Sequence, residues 1–549
     1  MLSSAIGSKD TSLIERTIGQ VFDATCDAYP EVPALVSRHQ GVRLTYRDLR
    51  DRVDSLAIGF HALGLKKGDR VGIWAPNREE WVLTQFATAK LGLILVNVNP
   101  AYRTSELEYA VNLVGMRAIV IASTFKSSDY VDMIRNLVKR NRLPTLKEII
   151  VLDGGGGPGM LNFADVVSTP TPSEQGMLAK INEQLDASDP INIQFTSGTT
   201  GAPKGATLTH RNILNNGHFV VDALGIGVGE AICIPVPLYH CFGMVMGNLG
   251  LVTHGGTMVF PAEAFDPAAT LAAIEEVGCA GIYAVPTMFI AMLDELDQKD
   301  YNLSALRTGI MAGSPCPIEV MRRVMNEMNC AEISIAYGMT ETSPVSFQSS
   351  RDDTIERRVT TVGRIQPRAE AKIIAPDTGR ILPRGEMGEL CTRGYLVMQG
   401  YWNDPKKTAE AIDEDGFMHT GDLAVMDESG YVNIAGRSKD MVIRGGENIY
   451  PREVEEFLYQ HPGVSDVQVI GVPDAKYGEV LCAVVIRANS ELEPDHLRDF
   501  CKDQIAHFKI PTYVEFVESF PMTVTGKVQK YVLRQKISEK LGLVDEKTA

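Results

Sequence analysis

The chain has 549 residues, 44% hydrophobic and 22% charged, with a formal net charge of −16. A chain of this length buries a large core unaided and divides into two to four folding units at roughly 100–200 residues each, while its acidic balance excludes broad nucleic-acid binding, which needs a basic face. The nine cysteines are scattered without a CxxC pair, so neither a structural zinc site nor a disulfide framework is expected and a reducing compartment suits them.

The first residues, MLSSAIGSKDTSLIERT, lack the apolar stretch of a signal peptide and hold little arginine. No apolar run reaches about 18 residues, so no spanning helix is expected and the expected location is cytoplasmic. Thr45 is placed to cap a helix in which Leu49, Val53, Leu56, Phe60 and Leu63 recur at three- and four-residue steps. A turn at 65–69 leads into RVGIWAP, which reads as a short buried strand. A helix around 81–91 follows, then the strands LILVNVNP, AIVIAS and EIIVLD. Strands alternating with helices imply βαβ units and a parallel sheet. Four glycines at 154–157 mark a surface loop.

Residues 195–205 read FTSGTTGAPKG. Gly198, Gly201 and Gly205 open backbone conformations closed to other residues and let a ligand approach the main chain. Successive N–H groups there can form an anion-binding concavity; Thr196, Ser197, Thr199 and Thr200 add hydroxyls, and Lys204 adds a point charge. The set suits a polyphosphate. It is not a P-loop, because Lys204 is followed by glycine rather than by the Ser or Thr that pattern needs. The apolar flanks PINIQF and GATLTHRNIL predict a strand–loop–helix arrangement.

The alternation then restarts with AICIPVP, GGTMVF, GIYAVP and ISIAYG as strands, so two successive α/β layers are predicted, as an internal structural duplication. From about 362 to 436 short strands and many turns suggest a small β-rich unit. Beyond it a helix from 451 to about 459, strands near 467–472 and 481–487, and a helix carrying Leu497 and Phe500 form a compact α+β domain, with a boundary near Lys439.

FTSGTTGAPKG, AYGMTETSP (336–344), GYWNDPKKT (400–408), HTGDLA (419–424), GRSKDMVIRGGENIYP (436–451) and PMTVTGKVQK (521–530) resemble, in order, the motifs of the acyl-adenylate-forming superfamily, which holds acyl-CoA synthetases, luciferases and peptide-synthetase adenylation domains. The resemblance covers almost the whole chain. Around PVPLYHCFG and AHFKIP it is similar to medium-chain fatty acyl-CoA synthetases.

The resemblance implies an α/β fold: an N-terminal domain, 1–438, of two α/β subdomains plus a β-rich subdomain, then a smaller mobile α+β domain, 439–549. It implies that a carboxylate attacks ATP to give an acyl-adenylate and pyrophosphate, after which a thiol, that of CoA, displaces AMP. Thr196, Ser197, Gly198, Thr199, Thr200, Gly201 and Lys204 would then grip the β- and γ-phosphates. Thr340 would donate to the α-phosphate, Glu341 would help hold Mg²⁺, and Tyr337, Gly338, Gly313, Ser314 and Pro315 would enclose the adenine. Asp422 would accept both ribose hydroxyls, Arg437 would reach the ribose or phosphate, and Lys527 would stabilise the transition state. By the same resemblance Lys439 is a hinge, Gly445 and Gly446 let pantetheine pass, and His240 lies at the mouth of the acyl pocket.

A medium-chain fatty acid is the expected substrate. Short, branched or aromatic acids remain open, as does an inactive nucleotide-binding regulatory relative. A homodimer and a weak peripheral membrane contact are compatible with the resemblance; nucleic acid is not an expected partner.

Overall fold

Threonines start several helices of the N-terminal half by the same local chemistry. Thr17, Thr45, Thr171 and Thr209 each accept the N–H three residues on, while the side chains of Gln20, Asp48, Glu174 and Asn212 reach back to the cap. The helix Tyr46–Ala62 buries Leu49, Val53, Leu56 and Phe60 along one face, at the predicted spacing. Glu79–Leu91 is different: every residue from Trp81 to Leu91 is buried, so this helix lies inside the molecule rather than on it.

The structure, a computed structural model, describes residues 1–196, 203–437, 440–445, 447–474, 476–502, 504–523 and 526–543. The fold is mixed α/β, with a large N-terminal part and a smaller C-terminal one. An eight-stranded sheet runs, in spatial order, Leu161–Asn162, Glu148–Val151, Ala118–Ile121, Arg70–Trp74, Ile94–Asn97, Pro190–Thr196, Lys204–Thr209 and Gly400–Tyr401. It is parallel as far as Pro190–Thr196 and antiparallel beyond. A nine-stranded sheet orders Arg364–Ile365, Val345–Gln348, Glu332–Gly338, Thr308–Ala312, Gly281–Ala284, Ala231–Cys233, Thr257–Phe260, Pro33–Ser37 and Val42–Thr45. It is parallel inside and antiparallel at both ends. The β-rich unit is an antiparallel sheet of Ser4–Ile6, Ala369–Ile374, Met387–Gly394, Met418–Met426 and Val432–Arg437.

Two α/β layers are present, but they are not cut from successive lengths of chain. Pro33–Ser37 and Val42–Thr45 precede the first sheet yet close the edge of the second, and Gly400–Tyr401 returns to finish the first. Likewise the predicted strand–loop–helix is a hairpin. Lys204–Thr209 pairs antiparallel with Pro190–Thr196, setting Thr196 opposite Lys204, and the helix His210–Leu224 starts only after Thr209. The β-branched alternation of GATLT explains the extra strand.

One hydrophobic core runs from Ile18 to Ile434. The C-terminal sheet, built on the long hairpin Val464–Asp474 and Gly478–Arg487, has its own packing on both faces. Val467, Val469, Leu481, Ala483 and Val485 face one cluster, while Ile470, Val472, Val480, Cys482 and Val484 face the other, as strand periodicity requires. All nine cysteines are free and buried. No helix among the described residues is long and apolar enough to cross a membrane.

Candidate active site

The hairpin holds the two ends of the glycine-rich loop as a facing pair, Thr196 and Lys204. Thr196 Oγ1 is buried and has no hydrogen-bond partner among the described residues. Ser197, Gly198, Thr199, Thr200 and Gly201 lie outside the described residues. Lys204 Nζ donates to Tyr401 Oη at 2.9 Å and lies 4.1 Å from the Tyr401 ring centroid. Tyr401 Oη in turn donates to Glu341 Oε1 at 2.8 Å.

Glu341 is buried, in the single turn Thr340–Thr342 that ends the strand Glu332–Gly338. The turn folds back so tightly that a Cβ on Gly338 would lie 1.7 Å from Pro344 O, which only glycine tolerates. The segment 395–402 straps this turn to the hairpin. Met398 N donates to Glu341 O (2.9 Å), Gln399 N to Thr207 O (2.9 Å) and Trp402 N to Gly205 O (2.7 Å). Ser343 Oγ donates to Leu396 O at 2.6 Å. Among the described residues the only hydrogen bond to the Glu341 carboxylate comes from Tyr401. A hard carboxylate with its second oxygen uncommitted fits a divalent cation shared with phosphate oxygens.

The nucleoside side centres on Asp422, on the strand Met418–Met426. Its Oδ2 accepts Tyr337 Oη at 2.6 Å, and its Oδ1 stands 3.4 Å from Arg437 Nε. Burial pushes the Asp422 carboxyl up, and Arg437 opposes that shift. Burial and the same carboxylate push the Tyr337 hydroxyl well up, so it stays a donor. Behind Asp422, Glu389 accepts Gly421 N and pairs with His419 Nδ1, both at 3.1 Å. Thr420 Oγ1 donates to Leu390 O at 2.7 Å. Glu389 and His419 thus shape the bend that presents Asp422. Gly313 has φ +93°, and a Cβ there would come 3.1 Å from Val285 and 3.5 Å from Lys527 Cε. Ser314 and Pro315 continue that exposed loop.

Lys527 comes from the far end of the chain. Its loop is tied down by Thr287 Oγ1 donating to Gly526 O at 3.2 Å. Burial, helped by Arg437, pushes the Lys527 amine down to about 8, while Asp422 and Glu341 pull it back up. These charges act on one another across a short distance. The C-terminal part is seated there by two further contacts: Glu456 Oε2 accepts the N–H of Ile318, the first residue of the helix Ile318–Glu327, at 3.2 Å, and Arg452 Nη1 donates to Ile434 O at 2.9 Å.

His240 is also beside Lys527. Burial, with that ammonium nearby, pushes its imidazole down to about 3. Its Nδ1 accepts the N–H of Phe242 at 3.3 Å, so the ring proton sits on Nε2. His240 is therefore a neutral donor, not a cation. Next to it Cys241 Sγ donates to Gln194 Oε1 (3.2 Å), Gln194 Nε2 to Asn192 Oδ1 (2.9 Å) and Asn192 Nδ2 to Asn97 Oδ1 (2.9 Å). This buried amide ladder runs from the first strand of the hairpin to the neighbouring strand Ile94–Asn97. The π-helix Phe242–Leu249 follows; a Cβ on Gly217 of the adjoining helix would lie 2.6 Å from Val245 O.

The structure thus brings Glu341, Tyr337, Asp422, Arg437, Lys527 and His240 close together, with Lys204 joined to Glu341 through Tyr401 and Gly313 beside Lys527. It does not bring Gly445 there. Gly445 N donates to Tyr477 O at 2.8 Å, within the C-terminal sheet region. Gly446 and Lys439 lie outside the described residues. Tyr401, Glu389 and His419 are functional candidates that motif reading passed over. Tyr401 and His419 stand inside quoted motifs, and that position was the available signal; nothing in the local sequence marks Glu389.

The AMP-binding enzyme family model matches residues 22–402, and the model of the AMP-binding enzyme C-terminal domain matches residues 453–527. The mitochondrial medium-chain acyl-CoA ligase ACSF2 of Danio rerio is 45% identical, over 98% of this chain and 91% of its own. The Homo sapiens protein of the same name is 42% identical, over 99% and 91%. Among solved structures, the anthranilate CoA ligase AuaEII in complex with anthranoyl-AMP superposes with a TM-score of 0.86 at 25% identity, covering 97% of this chain and 99% of that one. ATP-bound MatB from Rhodopseudomonas palustris gives 0.80 at 30% identity, covering 95% and 99%.

Proposed function

The chain belongs to the AMP-binding enzyme family and is an AMP-forming acid–CoA ligase, and we propose that its acid is a medium-chain fatty acid. In the first half-reaction a carboxylate oxygen attacks the α-phosphorus of ATP and the bond to the bridging oxygen breaks, releasing pyrophosphate. In the second, the sulfur of CoA attacks the acyl carbon and AMP leaves. Both partners of the first step are anions, so fixed cations and donors are the main requirement. The observation that carries the reading is the convergence of Lys527, Arg437, Asp422, Glu341 and His240, drawn from both parts of the chain, on one cleft.

Lys204 and the loop it closes bind the β- and γ-phosphates. Thr340 donates to the α-phosphate. Glu341 offers its free oxygen to Mg²⁺, which neutralises phosphate charge when bound. Tyr337 lies along the adenine, opposite Gly313, Ser314 and Pro315, and Asp422 takes the ribose hydroxyls. Lys527 places its ammonium where negative charge gathers as the bridging bond breaks. His240 orients the incoming carboxylate through Nε2–H.

The domain boundary is proposed at 438/439, with Lys439 as a hinge that withdraws Lys527 and swings Gly445 and Gly446 toward the cleft for the thiol. Lys439→Pro then preserves adenylation and lowers thioester formation; equal loss of both removes the hinge. The nine buried thiols suit a reducing compartment, and the cytoplasm is the one proposed. A homodimer and a weak peripheral membrane contact are proposed with it.

The acyl group is assigned by relatives named for medium-chain acids. The experiment is a panel of C2–C16 and aromatic acids, each read by ATP–pyrophosphate exchange and by CoA-dependent AMP release. A maximum between C6 and C12 supports the assignment. A maximum at acetate or benzoate overturns it, and exchange with no acid at all removes the ligase reading.

A further inference from the structure

We infer that Tyr401 is a positioning residue: its hydroxyl is a spacer that keeps the phosphate-binding ammonium of Lys204 and the carboxylate of Glu341 two hydrogen bonds apart, so that both charges stay available to a magnesium–triphosphate. This rests on the reading of the cleft as an ATP site.

The geometry is specific. Lys204 Nζ to Tyr401 Oη is 2.9 Å and Tyr401 Oη to Glu341 Oε1 is 2.8 Å. The hydroxyl accepts from the cation and donates to the anion, using both of its capacities at once. An ammonium and a carboxylate this close in a buried site would otherwise attract each other into a direct ion pair. That pair would occupy the oxygens meant for a metal and neutralise the charge meant for phosphate. The hydroxyl interrupts it while holding Glu341 by one oxygen only.

Tyr401 is also held independently of its hydroxyl. Its backbone pairs with Ala206, its N–H donates to Thr408 Oγ1 at 2.9 Å, and the neighbouring Trp402 N–H donates to Gly205 O at 2.7 Å. The side chain is buried. Removing the single oxygen therefore leaves the ring and the strap in place. The same strap registers the two charged residues, since Met398 N bonds Glu341 O while Gly400 pairs with Thr207. One short segment thus reaches across to both motifs, and its tyrosine carries the only side-chain link between Lys204 and Glu341 among the described residues.

The test is a double-mutant cycle on nucleotide binding, run by calorimetry with ATP and Mg²⁺ alone, without acid or CoA. The four proteins are wild type, Tyr401→Phe, Lys204→Met and the double variant. Tyr401→Phe is expected to raise the dissociation constant of Mg·ATP, and the Mg²⁺ concentration at half-saturation, about tenfold, the scale of one hydrogen bond to a charged group. Its KM for the acid stays at the wild-type value. The two substitutions are expected to be strongly non-additive, because once the ion pair has collapsed Lys204 has little left to lose. A change of less than about threefold in both quantities, or additive effects, overturns the spacer role. A merely structural Tyr401 would lower binding of nucleotide with and without Mg²⁺ alike, and that outcome also overturns it. Failure of the ligase reading is seen separately, as absence of acyl-adenylate from every acid by a wild type whose Mg·ATP binding is intact.

Discussion

The two sides of the cleft are assembled in different ways. On the phosphate side, Lys204, Tyr401 and Glu341 sit on strands and a turn of one body, strapped by backbone hydrogen bonds from 398 to 402. On the opposite side Lys527 is delivered by the smaller part, tied by Thr287 to Gly526 and seated through Glu456 and Arg452. The first set needs no contact from the C-terminal part. The second does, and its burial opposes the charge it brings: the Lys527 amine is pushed down to about 8. A bound polyanion reverses that opposition. On the proposed reading, the charge of Lys527 is therefore favoured by ATP, whereas Asp422 and Glu341 are held by the N-terminal part alone.

This contrast is broken or sharpened by separating the half-reactions. The largest effect is expected from Lys527→Ala, which lowers adenylation roughly a hundredfold or more while transfer to CoA from supplied acyl-adenylate changes little. Equal loss in both assays would put Lys527 on the permanent side. Asp422→Ala is expected to raise KM for ATP about thirtyfold, through lost hydrogen bonds to a charged group, and to weaken the CoA step as well, because AMP is held in both. A selective effect on adenylation would contradict its assignment.

The pH profile tests the conditional side alone. Lys527 is cationic below about 8 and neutral above it. For adenylation, kcat/KM for ATP should fall with one proton as pH rises through that value, about tenfold per unit beyond it. Lys527→Arg should lose this limb, since arginine does not titrate there. A flat profile to pH 9.5 would discard the depressed amine. The smallest change is expected from Glu456→Ala, which removes a carboxylate from the N-terminus of Ile318–Glu327. About threefold slower adenylation, with the CoA step unchanged or faster, is the scale of one helix-end contact.

Much of this was legible because motifs are local. Thr45 caps its helix as its spacing predicts, and Asp422, Tyr337 and Lys527, singled out from three separate motifs, lie close together. What joins them was not legible. Tyr401 to Glu341 and Glu389 to Gly421 are contacts between distant segments, set by sheet register, and one sequence carries no register. Ser4–Ile6 and Gly400–Tyr401 are too short for periodicity to mark, yet each completes a sheet. The hairpin at 190–209 was hidden because its second strand runs directly into Thr209, a strong cap, so the helix signal absorbed the strand.

The sealed thiols have a practical side. With all nine native cysteines inside packed cores, two introduced surface cysteines, one in each part, become the fast-reacting handles for maleimide dyes without stripping the natural ones. Energy transfer between such dyes would report the proposed swing of the smaller part in real time, nucleotide by nucleotide, on an otherwise unaltered chain.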